Sequence, residues 1–235
     1  MRIVPLAFLL LSYAATAQNN SVAEVGAWSR LATPVWAVPK TLNIPSPDGK
    51  KRISVLPINK PDSDAATIVT VYAFDKAFHT RIGEKVDAEV LWSPDSEAFL
   101  VTYSDGGGAG TYHAKVVYVR PTGLQYIEPV PNGRKLFAPH CFEPEYPNVG
   151  GFGWLGTDSG HILIAIEVPP HSSCASMGTF RAYEIAVPSG DVIAQYDQIE
   201  AKTRFAGQMG NWLRSADDTC VQKPERCIPK GLKPE

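Results

Sequence analysis

A short turn motif between two apolar stretches constrains the fold more than any other feature of this sequence. In its best copy, the apolar residues 90–92 are followed by Ser-Pro-Asp-Ser at 93–96 and by an apolar run over 98–103. Proline fixes φ and aspartate accepts hydrogen bonds from its own backbone, so the stretch predicts strand, tight turn and strand. Similar turns surround Asp48 and Asp158, and each is followed by a β-prone segment.

Each copy of the turn belongs to a longer unit that closes with a second predicted strand. These closing segments cover residues 66–75, 114–123 and 179–190. The turn aspartates are 47 and then 63 residues apart, and the extra length falls in the Pro- and Gly-rich stretch 132–153, which we expect to be a loop. A strand repeat of about 40–50 residues is typical of propeller blades. The sequence therefore predicts a mostly β fold of blade-like antiparallel sheets.

The motif resembles the repeats of TolB-type β-propellers. The resemblance rests on Trp92-Ser93-Pro94-Asp95 and on strands that end in Pro-Thr-Gly at 121–123 and Pro-Ser-Gly at 188–190, and it covers roughly residues 42–200. It implies a propeller, but closed propellers have about 4–8 blades and only three units are found here. We expect a partial or atypical propeller, in which flanking segments supply further strands, or an open β-sheet protein that uses blade-like hairpins.

The N-terminus has the pattern of a secretory signal peptide. Met1-Arg2 is positively charged, residues 3–11 are apolar, and Ala15-Thr16-Ala17 is a small-residue cleavage site. The apolar run is shorter than the roughly 20 residues that a spanning helix needs. We predict a signal peptide (1–17), an N-terminal segment (18–41), a β domain (42–213) and a C-terminal tail (214–235). The mature chain is expected to be secreted or periplasmic, with no transmembrane segment after cleavage.

Export indicates that the four cysteines form disulfides, and four cysteines allow three pairings. Cys220 and Cys227 lie seven residues apart and pair most naturally with each other, which leaves Cys141 with Cys174. The tail 214–235 would then be closed by a disulfide. The sequence does not fix the connectivity.

Two histidines beside cysteines raise the alternative of a metal or hydrolase site. His140 precedes Cys141, and His171 lies three residues before Cys174, so two imidazoles and two thiolates are available for zinc. The spacing matches no zinc ribbon or finger, and thiols in an oxidising compartment more often pair with each other. The chain has no Gly-x-Ser-x-Gly, and the glycine-rich stretch 104–111 lacks a phosphate-binding Gly-Lys-Ser/Thr.

The sequence thus favours a binding or scaffold protein of the cell envelope or extracellular space over an enzyme, with no cofactor. The formal net charge of −2 and the lack of a long basic run argue against nucleic acid as a partner. The partner is expected to be a protein or another extracytoplasmic ligand. Aromatic and polar side chains in loop-like segments are the predicted recognition surface: Trp28, Trp36, Asp105, His113, Tyr146 and Phe152.

Overall fold

A computed structural model describes residues 26–35, 38, 40–56, 66–84, 87–106 and 110–233. The predicted signal peptide 1–17 and Trp36 lie outside the described residues. The described chain is mostly β, with three antiparallel sheets that we call A, B and C in chain order. Its α-helices are confined to the C-terminal part.

Each sheet has four strands that follow one another along the chain, and sheet B gains a fifth strand from the N-terminal segment. Sheet A consists of β2 (Leu42–Pro45), β3 (Arg52–Val55), β4 (Ala66–Ala73) and β5 (Lys76–Glu84). Sheet B consists of β1 (Thr33–Pro34), β6 (Ala88–Trp92), β7 (Ala98–Ser104), β8 (Tyr112–Arg120) and β9 (Gly123–Ile127). Sheet C consists of β10 (Asn148–Leu155), β11 (His161–Glu167), β12 (Phe180–Ala186) and β13 (Val192–Tyr196).

The three sheets stack face to face, because their central strands are apolar on both sides. Along β7, Phe99 and Val101 pack between sheets A and B, whereas Ala98 and Leu100 pack between sheets B and C. Alternate residues of a strand point to opposite faces, so a continuous apolar run buries both faces of the sheet. Strand β11 behaves in the same way, and its second face packs against the C-terminal helices.

Equivalent bonds join neighbouring sheets at the turns. The Trp92 indole Nε1–H donates to the Ile44 carbonyl of sheet A at 3.2 Å, and the Trp154 Nε1–H donates to the Leu91 carbonyl of sheet B at 3.2 Å. Each acceptor lies at the same place in its unit, two residues before the residue that opens the turn. The three units therefore repeat in their tertiary contacts as well as in their sequence.

The turn aspartates also connect the units. Asp95 accepts from the Ser93 hydroxyl at 2.6 Å within its turn and from the Ser159 backbone N–H of sheet C at 2.8 Å. Asp48 accepts from Ser46 at 2.6 Å, and its own backbone N–H donates to Ser96 of sheet B. These hydrogen bonds hold the three turns together at one end of the stack.

Helices and the N-terminal segment cover the outer face of sheet C. The helices are α1 (Gln198–Phe205), α2 (Asn211–Ser215) and α3 (Thr219–Gln222), with two short 3-10 helices at Gly133–Lys135 and Pro224–Cys227. The N-terminal segment runs antiparallel to residues 208–212, and Ser29 forms a β-bridge with Met209. It is thus built into the fold, next to α2.

The sequence predictions hold for the general architecture and fail in detail. A mostly β fold with two disulfides and three antiparallel sheets is confirmed, but no closed propeller is found among the described residues. The near-helical spacing of Phe205, Met209, Trp212 and Leu213 predicts one helix over 200–213. The structure has two helices instead, α1 and α2, separated by a turn that contains Gly207 and Gly210. The stretch 132–153 was expected to be a loop, but its end forms β10, the inner strand of sheet C.

Candidate functional site

One end of the stack gathers polar residues from several elements. In sheet B, Ala88 pairs with Tyr103 and Ser104 pairs with Tyr112. In sheet C, Asn148 pairs with Glu167. These strand ends lie at the end of the stack opposite the aspartate turns. The Tyr112 backbone N–H donates to the Asn148 side-chain oxygen at 3.1 Å and ties sheet B to sheet C there.

A cavity of about 960 Å³ opens at this end, between sheets B and C, the N-terminal segment and α2. We call it the acidic cleft, because four acidic side chains and one basic side chain line it. Its charged and aromatic lining residues are Trp28, Asp87, Glu89, Tyr112, Glu167, Trp212, Arg214 and Asp217.

Glu89 is one of two acidic groups of the cleft that are almost completely buried. It lies on β6 and is 5% exposed. Its Oε1 accepts from the Ser29 backbone N–H at 2.8 Å and its Oε2 accepts from the Trp28 N–H at 3.3 Å. Burial raises the pKa of Glu89 to about 7, because desolvation outweighs the stabilisation that these backbone amides give to the charged form. The side chain thereby fixes the N-terminal segment over the cleft.

Glu167 is the second almost completely buried acidic group of the cleft, and it lies on sheet C. It ends β11, is 1% exposed, and accepts from the Asn148 side-chain amide at 2.9 Å and from the Trp212 indole Nε1–H. Burial raises its pKa to about 7 as well. Glu167 holds α2 on the sheet through Trp212, just as Glu89 holds the N-terminal segment through Trp28.

Three aromatic rings pack together beside these carboxyl groups. Trp28 and Trp212 stack at 6.1 Å between ring centroids, and Tyr112 meets them at 5.3 and 5.7 Å. Trp28 is 1% exposed, and its indole Nε1–H has no hydrogen-bond partner among the described residues. A buried donor without a partner is uncommon in folded proteins.

Asp87 lies closer to solvent than the two glutamates. It is half-buried just before β6 and accepts a hydrogen bond from the Tyr112 hydroxyl at 2.8 Å. Burial and this bond to Asp87 raise the pKa of Tyr112, so the phenol stays neutral. Asp217 also lines the cleft, and hydrogen bonds from Thr219 lower its pKa and keep it ionised.

The structure separates the predicted recognition residues. Trp28 lines the acidic cleft, whereas Phe152 is fully buried in β10 and belongs to the core, so its prediction as a surface residue is wrong. Asp105 and His113 form a side-chain pair at 3.1 Å near the glycine-rich stretch. Tyr146 is 62% exposed, with the Arg134 guanidinium 5.6 Å from its ring centroid. These residues do not form one surface with Trp28.

The cysteines form two disulfides, Cys141 with Cys174 and Cys220 with Cys227. Cys141, Cys174 and Glu145 lie close enough to resemble a metal site. Because the two sulfur atoms are bonded to each other, neither is available as a thiolate ligand. Glu145 instead accepts hydrogen bonds from the backbone and hydroxyl of Ser173, both at 2.8 Å.

Sequence reasoning missed Glu89, Glu167, Asp87, Trp212 and Asp217. A signal was present in two of them, because Glu89 and Glu167 are single acidic residues within apolar strand segments. Such glutamates are rarely buried unless they have partners. The partners Trp28 and Trp212 come from distant parts of the chain, and no sequence pattern connects them.

Comparison with protein-family models, curated proteins and solved structures found no match for this chain. Among the described residues, no helix has both the length and the apolar character needed to cross a membrane.

Proposed function

We propose that this protein is an exported binding protein that takes a small organic ligand in the acidic cleft. The observation that carries the proposal is the cleft itself, about 960 Å³ in volume and walled by aromatic rings and a few polar groups. Binding sites for small molecules have volumes of about 300–1,000 Å³, with mostly apolar walls and a small number of fixed polar side chains.

The hydrogen bonding of the two glutamates favours binding over catalysis. Each oxygen of Glu89 and of Glu167 already accepts a bond from a donor fixed in the fold. A general acid or base must reach the proton that it transfers, within hydrogen-bond distance. These carboxyl groups are occupied with holding Trp28 and Trp212 in place, which suits a preorganised binding site.

An acid–base hydrolase is the second candidate, and one observation favours it. Glu89 and Glu167 line the same cleft, and both have a pKa of about 7. Raised pKa values of this kind are common in catalytic acids. The enzyme site suggested near His140 and His171 has less support, because its two cysteines are joined in a disulfide.

Location outside the cytoplasm is part of the proposal. The signal-peptide pattern at 1–17 and the two disulfides support it, since disulfides persist mainly in oxidising compartments. The repeated turns and Trp bonds support the suggested relationship to TolB-type propeller repeats.

The proposal can be tested with the mature protein and a metabolite extract. The protein is equilibrated with the extract, separated by size exclusion and denatured, and the released compounds are identified by mass spectrometry. Ser215→Trp places an indole at an exposed residue that lines the cleft, whereas Thr203→Trp adds one at an exposed residue of α1 outside it. We expect compounds that are retained by the wild type and by Thr203→Trp and lost from Ser215→Trp.

The same experiment separates the two candidates. Identical compounds retained by all three proteins, or no compound retained by any of them, would contradict a binding role for the cleft. New compounds that arise in the extract with the wild type and not with Ser215→Trp would instead support the hydrolase.

A further inference from the structure

Three chain segments meet beside sheet C and share an exposed surface that we call the disulfide face: 134–146, 171–178 and 223–233. The bridge between Cys141 and Cys174 joins the first segment to the second. The Ser176 backbone N–H in the second segment donates to the Cys227 carbonyl of the third at 3.0 Å. The three segments therefore form one surface, although they are far apart in the sequence.

The disulfide face exposes large apolar side chains on its loops. Tyr146 is 62% exposed, Phe142 is 50% exposed and Met177 is 44% exposed. A Cβ added at Gly231 would lie 3.6 Å from the Phe142 ring, so the C-terminal segment runs beside this ring. Exposed apolar patches that are rimmed by polar residues mark contact sites for other proteins or for membranes.

Basic residues accompany these side chains. The three segments hold six basic and three acidic residues, although the formal net charge of the whole chain is −2. Four exposed basic residues of the C-terminal segment have no carboxylate partner among the described residues: Lys223, Arg226, Lys230 and Lys233. Among the acidic residues, Glu145 already accepts two hydrogen bonds from Ser173. The disulfide face is therefore net positive and attracts anionic surfaces.

The type of basic residue favours a bilayer over a protein partner. Three of the four are lysines, whose ammonium group is a compact charge on a flexible stem and has no fixed bonding geometry. Lysine is depleted in protein–protein interfaces, whereas lysine-rich segments are attracted to anionic lipids. Tyrosine and phenylalanine rings settle at the boundary between headgroups and acyl chains. Exposed lysines next to exposed aromatic rings thus match a lipid surface.

We propose that the disulfide face binds the surface of a bilayer that contains anionic phospholipids. The lysines of the C-terminal segment contact the lipid phosphates, and Phe142, Tyr146 and Met177 enter the interfacial layer. The proposal assigns a second surface to the protein and does not depend on what the acidic cleft binds.

Co-sedimentation with lipid vesicles tests the proposal. The mature protein is used, because the apolar stretch of the predicted signal peptide would itself bind a bilayer. Vesicles of phosphatidylcholine alone are compared with vesicles in which phosphatidylglycerol replaces part of this lipid. We expect about tenfold or more tighter binding to the anionic vesicles. The bound protein should be released at about 1 M salt, where the Debye length is about 3 Å.

A pair of charge-reversal variants assigns the binding to the disulfide face. The double variant Lys230→Glu, Lys233→Glu should weaken binding to the anionic vesicles about tenfold or more. The control Lys40→Glu, Lys50→Glu makes the same change in net charge at two exposed residues beside sheet A. Sheet B separates sheet A from the disulfide face, so the control should bind as the wild type does.

A second pair of variants tests the apolar side chains. The double variant Tyr146→Ser, Met177→Ser removes two exposed apolar side chains from the disulfide face and should weaken binding about threefold or more. The control Leu56→Ser, Ile68→Ser removes two comparably exposed side chains from sheet A and should leave binding unchanged.

Equal binding to the two kinds of vesicle, or no binding to either, overturns the proposal. An equal loss of binding in the variant and in its control also overturns it, because the attraction would then depend only on net charge. Binding to soluble polyglutamate without binding to anionic vesicles overturns it in favour of an acidic protein partner. These outcomes leave the proposed function untouched, since the metabolite experiment tests the acidic cleft.

Discussion

Raising the pH from 5 to 8 is expected to destabilise the folded protein, because Glu89 and Glu167 are buried with little compensation for a negative charge. In the fold, each carboxyl group has a pKa of about 7, compared with 4.5 for an unperturbed glutamate. The folded state therefore holds protons that the unfolded state releases at lower pH. The resulting stabilisation is fully present below pH 4.5 and is lost as the pH rises through 7.

The size of the effect follows from the pKa difference. One pKa unit corresponds to about 1.4 kcal/mol, so each glutamate accounts for about 2.5 kcal/mol of the stability lost between pH 5 and pH 8. Asp48, Asp95 and Asp218 have lowered pKa values and act in the opposite sense. Their contribution is present above pH 3.8 and is lost only as the solution becomes more acidic, outside the range from pH 5 to 8.

Urea unfolding followed by tryptophan fluorescence at pH 5 and pH 8 measures this difference. The wild type should lose several kcal/mol of unfolding free energy between the two conditions. Glu89→Gln and Glu167→Gln remove one titrating group each and should each abolish about half of the difference, whatever their effect at a single pH. Glu128→Gln, at an exposed residue, is the control and should leave the difference unchanged. Stability that is constant or increases from pH 5 to pH 8 would refute the reasoning.

Other predictions concern the turns and the disulfides, and urea unfolding measures each of them. Trp92→Ala should cost about 3–5 kcal/mol, because Trp92 is 7% exposed between sheets A and B, whereas Tyr146→Ala at a 62% exposed residue should change stability by less than about 0.5 kcal/mol. Asp95→Ala should cost about 2–4 kcal/mol, since it breaks bonds within its turn and to sheet C, and Asp158→Ala, whose carboxylate bonds one backbone N–H in its own turn, should cost clearly less. Replacing both cysteines of the 33-residue bridge by serine should cost about 4 kcal/mol, compared with about 2 for the 7-residue bridge, since the longer loop loses more entropy on closure. Equal costs within any of these pairs would contradict the reasoning for that pair.

The repeated turns were predictable because their chemistry is local. Ser93 and Asp95 bond to each other and to the backbone within a few residues, so the same residue types recur wherever that turn forms. The central strands were equally clear, since burial on both faces requires continuous apolar runs such as those of β7 and β11.

Strand β10 was missed because its glycines are required by close contacts with side chains that are far away in the sequence. A Cβ added at Gly150 would lie 2.0 Å from the Trp28 ring, and one at Gly151 would lie 2.4 Å from Leu100. Only glycine allows such close approach, so the strand takes a composition that is typical of a loop. The edge strands β9 and β13 were missed for a different reason, because their residues are mostly exposed or half-buried and show no alternation of apolar and polar side chains.

The acidic cleft was beyond sequence reasoning because its walls come from distant parts of the chain. Trp28 and Glu89 are 61 residues apart, and Trp212 and Glu167 are 45 apart. Neither tryptophan has a local signal that distinguishes a wall of a cleft from an ordinary core residue. Only the packing of the N-terminal segment and α2 against sheets B and C brings them together.

The most direct test of the binding site is an NMR titration of the tryptophan indole N–H resonances with a compound that the wild type retains from the metabolite extract. The resonances are assigned by single Trp→Phe variants. Trp28 and Trp212 line the acidic cleft, whereas the indoles of Trp92 and Trp154 donate to backbone carbonyls between the sheets. We predict that the resonances of Trp28 and Trp212 shift in a saturable manner while those of Trp92 and Trp154 remain in place. Unchanged Trp28 and Trp212 resonances in excess of that compound, or shifts confined to Trp92 and Trp154, would contradict a ligand site in the acidic cleft.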